Sequence, residues 1–309
     1  MRGCWHIVSA LALAGVTACQ PIALAPTVDL AIAPTTQASA ASQEIRTYYQ
    51  RVESDLTVRG LLRIDGGGPD TPYTSAMLAR NFERVTFFDE HTLGARLESG
   101  GGQQRLLSRW DQPVRIAMEF GPSVSPDVAG SDRDLVAAFA TRLARVTDHP
   151  IAASRFRANF HVMVMGEDDR SAMRARFAEL LPGISATNLA RLMVMPKDMH
   201  CLVIVSHAEA PNPRILSAVA IVRAEHPDLL RRACYHEEIA QGLGLVNDSP
   251  YARPSIFNDD DEFALLTSHD EALLSMLYDP RLRIGMSADE ARPLVIQIAR
   301  EKTGEDAAT

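Results

Sequence analysis

The spacing of apolar residues in this chain changes several times, and each change marks an element. Val114-Arg115-Ile116-Ala117-Met118-Glu119-Phe120 alternates apolar and polar, as a half-buried strand does. Phe160-His161-Val162-Met163-Val164-Met165, Cys201-Leu202-Val203-Ile204-Val205 and Ser217-Ala218-Val219-Ala220-Ile221-Val222 are apolar runs of strand length. Helical spacing takes over at 75–88, at 132–146 with Ser131 as its cap, at 171–181 and at 266–279. Residues 43–58 read as a helix or an extended lead-in. Residues 95–98 and 105–107, with Ser99-Gly100-Gly101-Gly102 between them, predict a hairpin around a glycine turn. The order strand, helix, strand, helix, strand, strand, helix implies an α+β fold with a mixed sheet.

The last helix of that series opens near Pro227, a residue suited to a first turn because its missing N–H goes unused there. It carries Tyr235-His236-Glu237-Glu238-Ile239-Ala240-Gln241-Gly242-Leu243-Gly244-Leu245-Val246-Asn247-Asp248. The long zincin signature places two His four apart on one helical face, a Glu base after the first, a helix-ending Gly, and a third ligand beyond it. Set on Glu237, that template reads Glu237, Glu238, Gln241, Gly244 and Asn247. The base and the glycine are kept, and no imidazole remains. Set on His236, it gains a true His-Glu pair but puts Ala240, Leu243 and Val246 in the other positions. Glu237 and Gln241 share a face at i, i+4, which favours the first register. Taken alone, the segment also reads as an ordinary helix with a glycine C-cap.

Downstream, Ser255-Ile256-Phe257-Asn258 falls where metzincins have the tight Met-turn beneath their metal, with Phe257 in place of Met. The helix at 266–279, ending in Leu277-Tyr278, is similar to the last helix of matrixin-type domains. Cys234 to Asp248, Pro254 to Thr267, Leu277-Tyr278-Asp279-Pro280-Arg281-Leu282 and Gly285-Met286 together resemble the bacterial domain-of-unknown-function family 2927. The resemblance runs from about Tyr48 to Met286 and is densest after Cys201. Members of that family are largely described as lipoproteins, so it implies an envelope protein and no particular activity.

The amino terminus agrees with that expectation. Arg2 precedes the apolar run Ile7 to Val16, which is too short to span a bilayer. Val16-Thr17-Ala18-Cys19 resembles a lipobox, with cleavage before Cys19 and acylation of that residue. Gln20, not Asp, follows Cys19, which favours the outer membrane of a bacterial envelope with the protein facing the periplasm. The Ala-, Pro- and Thr-rich segment after Cys19 reads as a tether. The expected organisation is a signal peptide at 1–18, a tether at 19–43 and a zincin-like domain at 44–288. Within the domain, 44–112 is an N-terminal elaboration, and a C-terminal helix and tail fill 289–309. Signal and tether removed, about 265 residues remain, enough for one large domain.

Of four cysteines, Cys4 leaves with the signal and Cys19 is the lipidation site. Cys201 and Cys234 then form an even pair in an oxidising compartment, which predicts a disulfide joining the strand at 201–205 to the signature helix. A net charge of −8 with scattered acids excludes nucleic acid as a natural partner. Asp65-Gly66-Gly67-Gly68 lacks the setting of a phosphate loop, and Asn258-Asp259-Asp260-Asp261-Glu262 lacks the spacing of an EF-hand. His200, His207, His226 and His269 are isolated in sequence and read as surface or structural residues.

The candidate site is therefore Glu238 as a general base, with Glu237, Gln241, Asn247, Asp248 and His236 as binding residues. Its donors are mostly oxygens, so no cofactor and no zinc is expected, and at most a weak Ca²⁺ or Mg²⁺ site. The expected function is a lipid-anchored protein, noncatalytic, that binds a peptide, a glycan or an envelope protein. The alternative is a peptidase-like hydrolase that uses Glu238 with an unconventional oxygen-ligand metal site.

Overall fold

The computed structural model describes residues 37–88, 104–258 and 260–305, and the backbone of 91–93 and 97–99. The expected signal peptide, Cys19, the tether as far as residue 36, and the glycines at 100–102 lie outside the described residues. In chain order the elements are α1 (Ala40–Val58), α2 (Ser75–Phe87), β1 (His91–Leu93), β2 (Leu97–Ser99), β3 (Val114–Phe120), α3 (Pro126–Thr147), β4 (Ile151–Ala153) and β5 (Phe160–Met165). They are followed by α4 (Arg170–Leu180), α5 (Ala186–Val194), β6 (Cys201–His207), β7 (Ile215–Arg223), α6 (Asp228–Gly242), α7 (Ser268–Leu277) and α8 (Ala288–Thr303). No described helix is long and apolar enough to cross a membrane.

The main sheet has the order β4-β3-β5-β7-β6. β4, β3, β5 and β7 are parallel, and β6 runs antiparallel to β7 at the edge. The α+β reading with a mixed sheet, a signature helix and a C-terminal helix is therefore correct. Alternation along the strands sorts side chains into two cores, because successive residues point to opposite faces. Phe160, Val162 and Val164 of β5 join Ala218, Ala220 and Val222 of β7 against α2, α3, α6, α7 and α8. Met163, Met165, Val219 and Ile221 face the other way, onto Met173 and Phe177 of α4 and Leu189 and Leu192 of α5.

Three local expectations need correction. The small hairpin pairs His91 with Ser99 and Leu93 with Leu97, so its turn precedes the glycine run and is not built by it. α3 starts six residues before the expected 132: Ser125 accepts the N–H of Val128 and Pro126 fills the first turn, a stronger start signal than Ser131. The expected elements also omit β4 and α5. β4 is three residues long, and α5 takes its helical state from packing Leu189, Leu192 and Met193 onto the Met-rich face of the sheet.

α6 is anchored from several sides. Asp132 of α3, wholly buried, accepts the Tyr235 hydroxyl at 2.7 Å and the Arg231 Nε at 2.8 Å. The Cys201–Cys234 disulfide joins α6 to the edge strand, with Cα atoms 5.9 Å apart, inside the range such a bond needs. At the helix end, Trp110 Nε1 donates to the carbonyl of Gly242 at 2.8 Å and the Tyr278 hydroxyl to that of Leu243 at 3.0 Å. These supply partners for carbonyls that a helix terminus leaves unmatched. Gly244 then turns the chain at φ +126, where an added Cβ would lie 2.6 Å from the Ser108 carbonyl oxygen. The signature glycine thus stands just past the helix, as its place in the template requires.

Candidate functional site

One side of α6, with Leu230, Ala233, Cys234, Glu237 and Glu238, lines a cavity of about 450 Å³ beside the disulfide. Glu237 and Glu238 enter it from α6, Asp248 from the loop after Gly244, Asp198 and His200 from the approach to β6, and Asp261 from the loop before α7. Hydrophobic walls come from Leu62, Ile256, Phe263 and the Cys201–Cys234 bridge. Carboxylate oxygens of Glu237 and Glu238 and the Cys201 sulfur lie within 4.8 Å of one another. That sulfur is bonded to Cys234, so it is not a thiolate and offers no anionic sulfur ligand.

His200 is the imidazole in this acidic lining. Burial lowers its pKa first, and the Arg223 guanidinium adds to that, while Asp261 and Asp198 pull the other way. The net direction is downward, toward a neutral ring. Its neighbour Tyr49 stands edge-on at 5.1 Å between centroids and also meets His226 at 4.2 Å, with the two imidazoles 5.9 Å apart. Part of the rim is built from unusual backbone. Leu62 and Asp261 both have left-handed φ, 56 and 55, and the Leu62 N–H donates to the Asp261 carbonyl at 2.9 Å. Non-glycine residues in that region carry strain that surrounding structure must hold.

The signature positions do not assemble as the template implied. Gln241 is buried and donates through Nε2 to Asp248 Oδ1 at 3.1 Å. Asn247 turns to the end of α2 instead: its N–H donates to the Val85 carbonyl and its Nδ2 to the Arg84 carbonyl, both at 3.2 Å. Asp248, one residue on, takes the place beside Gln241 that Asn247 was expected to fill. His236 is likewise a correction. Its Nδ1 accepts the Leu266 N–H at 3.0 Å and its ring stacks on Phe139, so it belongs to the core and not to the cavity.

The turn at Ser255 is tied to α7. Asp270, wholly buried, accepts the Ser255 hydroxyl at 2.5 Å and the Ile256 N–H at 3.1 Å, and the Ser255 oxygen accepts the Phe257 N–H at 3.0 Å. This places Ile256 in the cavity wall and buries Phe257 completely. The acidic run that follows does not act as one unit. Asn258 and Asp261 line the cavity, whereas Glu262 pairs with Arg253 at 2.5 Å and with Arg63 at 3.3 Å. Asp259 lies outside the described residues. Asp198, His200 and Asp261 were not among the expected site residues, since each reaches the cavity from a loop whose partner in space is distant in sequence.

No curated protein and no solved structure matches the chain. Residues 75–297 match the model of the family described as Protein of unknown function (DUF2927). That span holds the sheet, α6, the Ser255 turn and most of the acidic cavity, and the chain belongs to this family.

Proposed function

We propose that the protein is an envelope lipoprotein, held by acylated Cys19 and facing the periplasm, whose domain binds an extended peptide bearing a basic side chain without hydrolysing it. The observation that carries this reading is the position of the acidic cavity at the start of an edge strand. β6 ends the sheet, and among the described residues only β7 pairs with it. A free strand edge offers a row of N–H and C=O groups to a passing extended chain. Cys201, the first residue of β6, is itself part of the cavity wall. A peptide laid along β6 would deliver a side chain among Asp198, Glu237, Glu238, Asp248 and Asp261, where the one imidazole is biased toward its neutral form. A Lys or Arg side chain is the group that this charge balance selects.

Features in favour of a degenerate zincin-like domain are the mixed sheet above α6, the Gly244 break and the Ser255 turn with Ile256 in the cavity wall. The three signature positions do not fit zinc. Gln241 and Asn247 turn to different partners, and Glu237, Gln241 and Asn247 supply no nitrogen or sulfur ligand. Oxygens of Glu237 and Asp248 suit a weakly held Ca²⁺ or Mg²⁺ better. The second reading, a hydrolase, rests on Glu238, which is only 4% exposed and lines the cavity as a base would.

A panel of extended peptides differing at one position separates the readings. Lys- and Arg-bearing peptides should bind more tightly than Glu-bearing ones, and the double change Glu237→Gln with Asp261→Asn should abolish the difference. Equal affinity for acidic and basic peptides would sink the binding proposal. Peptide cleavage lost in Glu238→Gln would put the hydrolase first. Anchoring is tested apart from this, by release of the Cys19→Ser chain from the membrane fraction.

A further inference from the structure

Phe156 is 83% exposed and stands between two exposed arginines, Arg155 and Arg157, in the connection from β4 to β5. In a chain of net charge −8 this basic, aromatic tip is a local exception. Its shape is held. The Ser154 oxygen accepts the Phe156 N–H at 3.2 Å, Arg115 Nε donates to the Arg157 carbonyl at 2.5 Å, and Arg157 is kept at a left-handed φ of 51. Among the described residues, neither Arg155 nor Arg157 has an ion-pair partner.

The tip does not stand alone. Ala218 of β7 is in register with Phe160 and donates its N–H to the Asn159 carbonyl, which sets Leu216, 48% exposed, beside the loop. Arg214 lies at the same end and is only loosely paired with Asp111, at 3.8 Å. The end of the sheet where the parallel strands begin thus presents an exposed Phe and Leu among arginines. The acidic cavity is at the other end, since Cys201 pairs with Val222, which lies six residue steps along β7 from Leu216, roughly 20 Å.

We propose that this end of the sheet docks on an anionic phospholipid surface, with Phe156 in the headgroup boundary and Arg155 and Arg157 on lipid phosphates. An aromatic side chain between basic residues suits that boundary, because the ring leaves water while the guanidinium groups bind phosphate through paired N–H donors. Lone apolar exposure would serve a protein partner as well; the flanking unpaired arginines select the charged lipid surface. Docked in this way, the domain turns its acidic cavity away from the bilayer and toward solution. The twenty residue steps from Cys19 to Ser39 span up to roughly 65 Å when extended, so an anchor at Cys19 permits this orientation.

The test places the reporter Phe156→Trp in the mature chain, residues 19–309, carrying Cys19→Ser, so that docking is read with neither the signal peptide, which holds Trp5, nor an acyl anchor. Vesicles of phosphatidylglycerol or phosphatidylcholine carry brominated acyl chains that quench a nearby Trp. Trp110 is buried, and the same chain without Trp at 156 supplies the background. Quenching above background is expected with phosphatidylglycerol, reversed by high salt and absent with phosphatidylcholine. Adding Arg155→Ser and Arg157→Gly, the latter compatible with the left-handed φ, should weaken vesicle binding about 25-fold. No quenching by the anionic vesicles, or equal quenching by both lipids, overturns the proposal. Because Cys19 is already replaced, either result is independent of the lipoprotein reading.

Discussion

The imidazole of His236 lies flat on the ring of Phe139, with centroids 4.0 Å apart and planes 10° from parallel. This contact, with the Leu266 N–H donated to Nδ1, fixes the chain before α7 against α6. It also requires a neutral ring: burial drives the His236 pKa down to about 3.

Acid should therefore destabilise the protein as the pH falls below about 6.5. Burial also lowers the pKa of His207, to about 4, and pushes that of His226 well down. Each stays neutral when folded but binds a proton when unfolded, below an unfolded pKa of about 6.5. Stability is thus complete above about pH 6.5 and falls with pH toward the folded values, by at most about 1.4 kcal/mol per unit for each group. Urea midpoints followed from neutral pH to about pH 4.5 should show this loss, with a shallower slope in His236→Gln. An unchanged slope in that variant would show that His236 does not contribute.

Replacing Cys201 and Cys234 by serine should destabilise the fold by roughly 3–4 kcal/mol, the chain-entropy value for the 33-residue separation they close. Denaturant unfolding of the double variant, and of the parent with and without reductant, checks this. A change below about 1 kcal/mol would mean that the bridge constrains little in the unfolded chain.

Asp132→Ala should be among the most damaging single changes, by about 3–5 kcal/mol, because it leaves the buried Arg231 guanidinium only the exposed Asp228 and the His226 carbonyl and removes the acceptor of the Tyr235 hydroxyl. Thermal unfolding measures the loss. Changing Arg231→Met together with Asp132→Leu should cost less than Asp132→Ala alone, since no charge is then left unmatched.

Gly244→Ala should cost more than about 1 kcal/mol, from the left-handed φ and the close Ser108 carbonyl. Gly183→Ala shares a positive φ, 93, but has open space around it, so the excess of the first loss over the second measures the contact. Equal losses would reduce the role of Gly244 to backbone conformation alone.

Strands were the most legible part of the fold, because alternation in β3 and the apolar runs of β5, β6 and β7 are set by which face each residue must bury. The start of α3 was obscured by Gly130 and Ser131, which look like a break but sit inside a helix already capped by Ser125. In the site, Glu237 and Glu238 were legible because one helix carries them. Asn247 was misplaced because the path after Gly244 depends on the end of α2, which takes the amide. His236 stood among the binding residues because it adjoins Glu237; its stacking partner, Phe139, lies nearly a hundred residues earlier and leaves no trace in the local sequence. Asp198 carries no local pattern, and Asp261 sits in an acidic run that reads as a solvated loop; only the closing of the sheet onto α6 brings them to one cavity.

The Cys201–Cys234 bridge forms part of the wall of that cavity as well as joining two elements. A chain kept under reducing conditions would own every acidic residue of the site and still lack its finished boundary, because the last piece of the wall is made by oxidation after the polypeptide is complete. Readiness to bind would then mark where a molecule has been as much as what its sequence is.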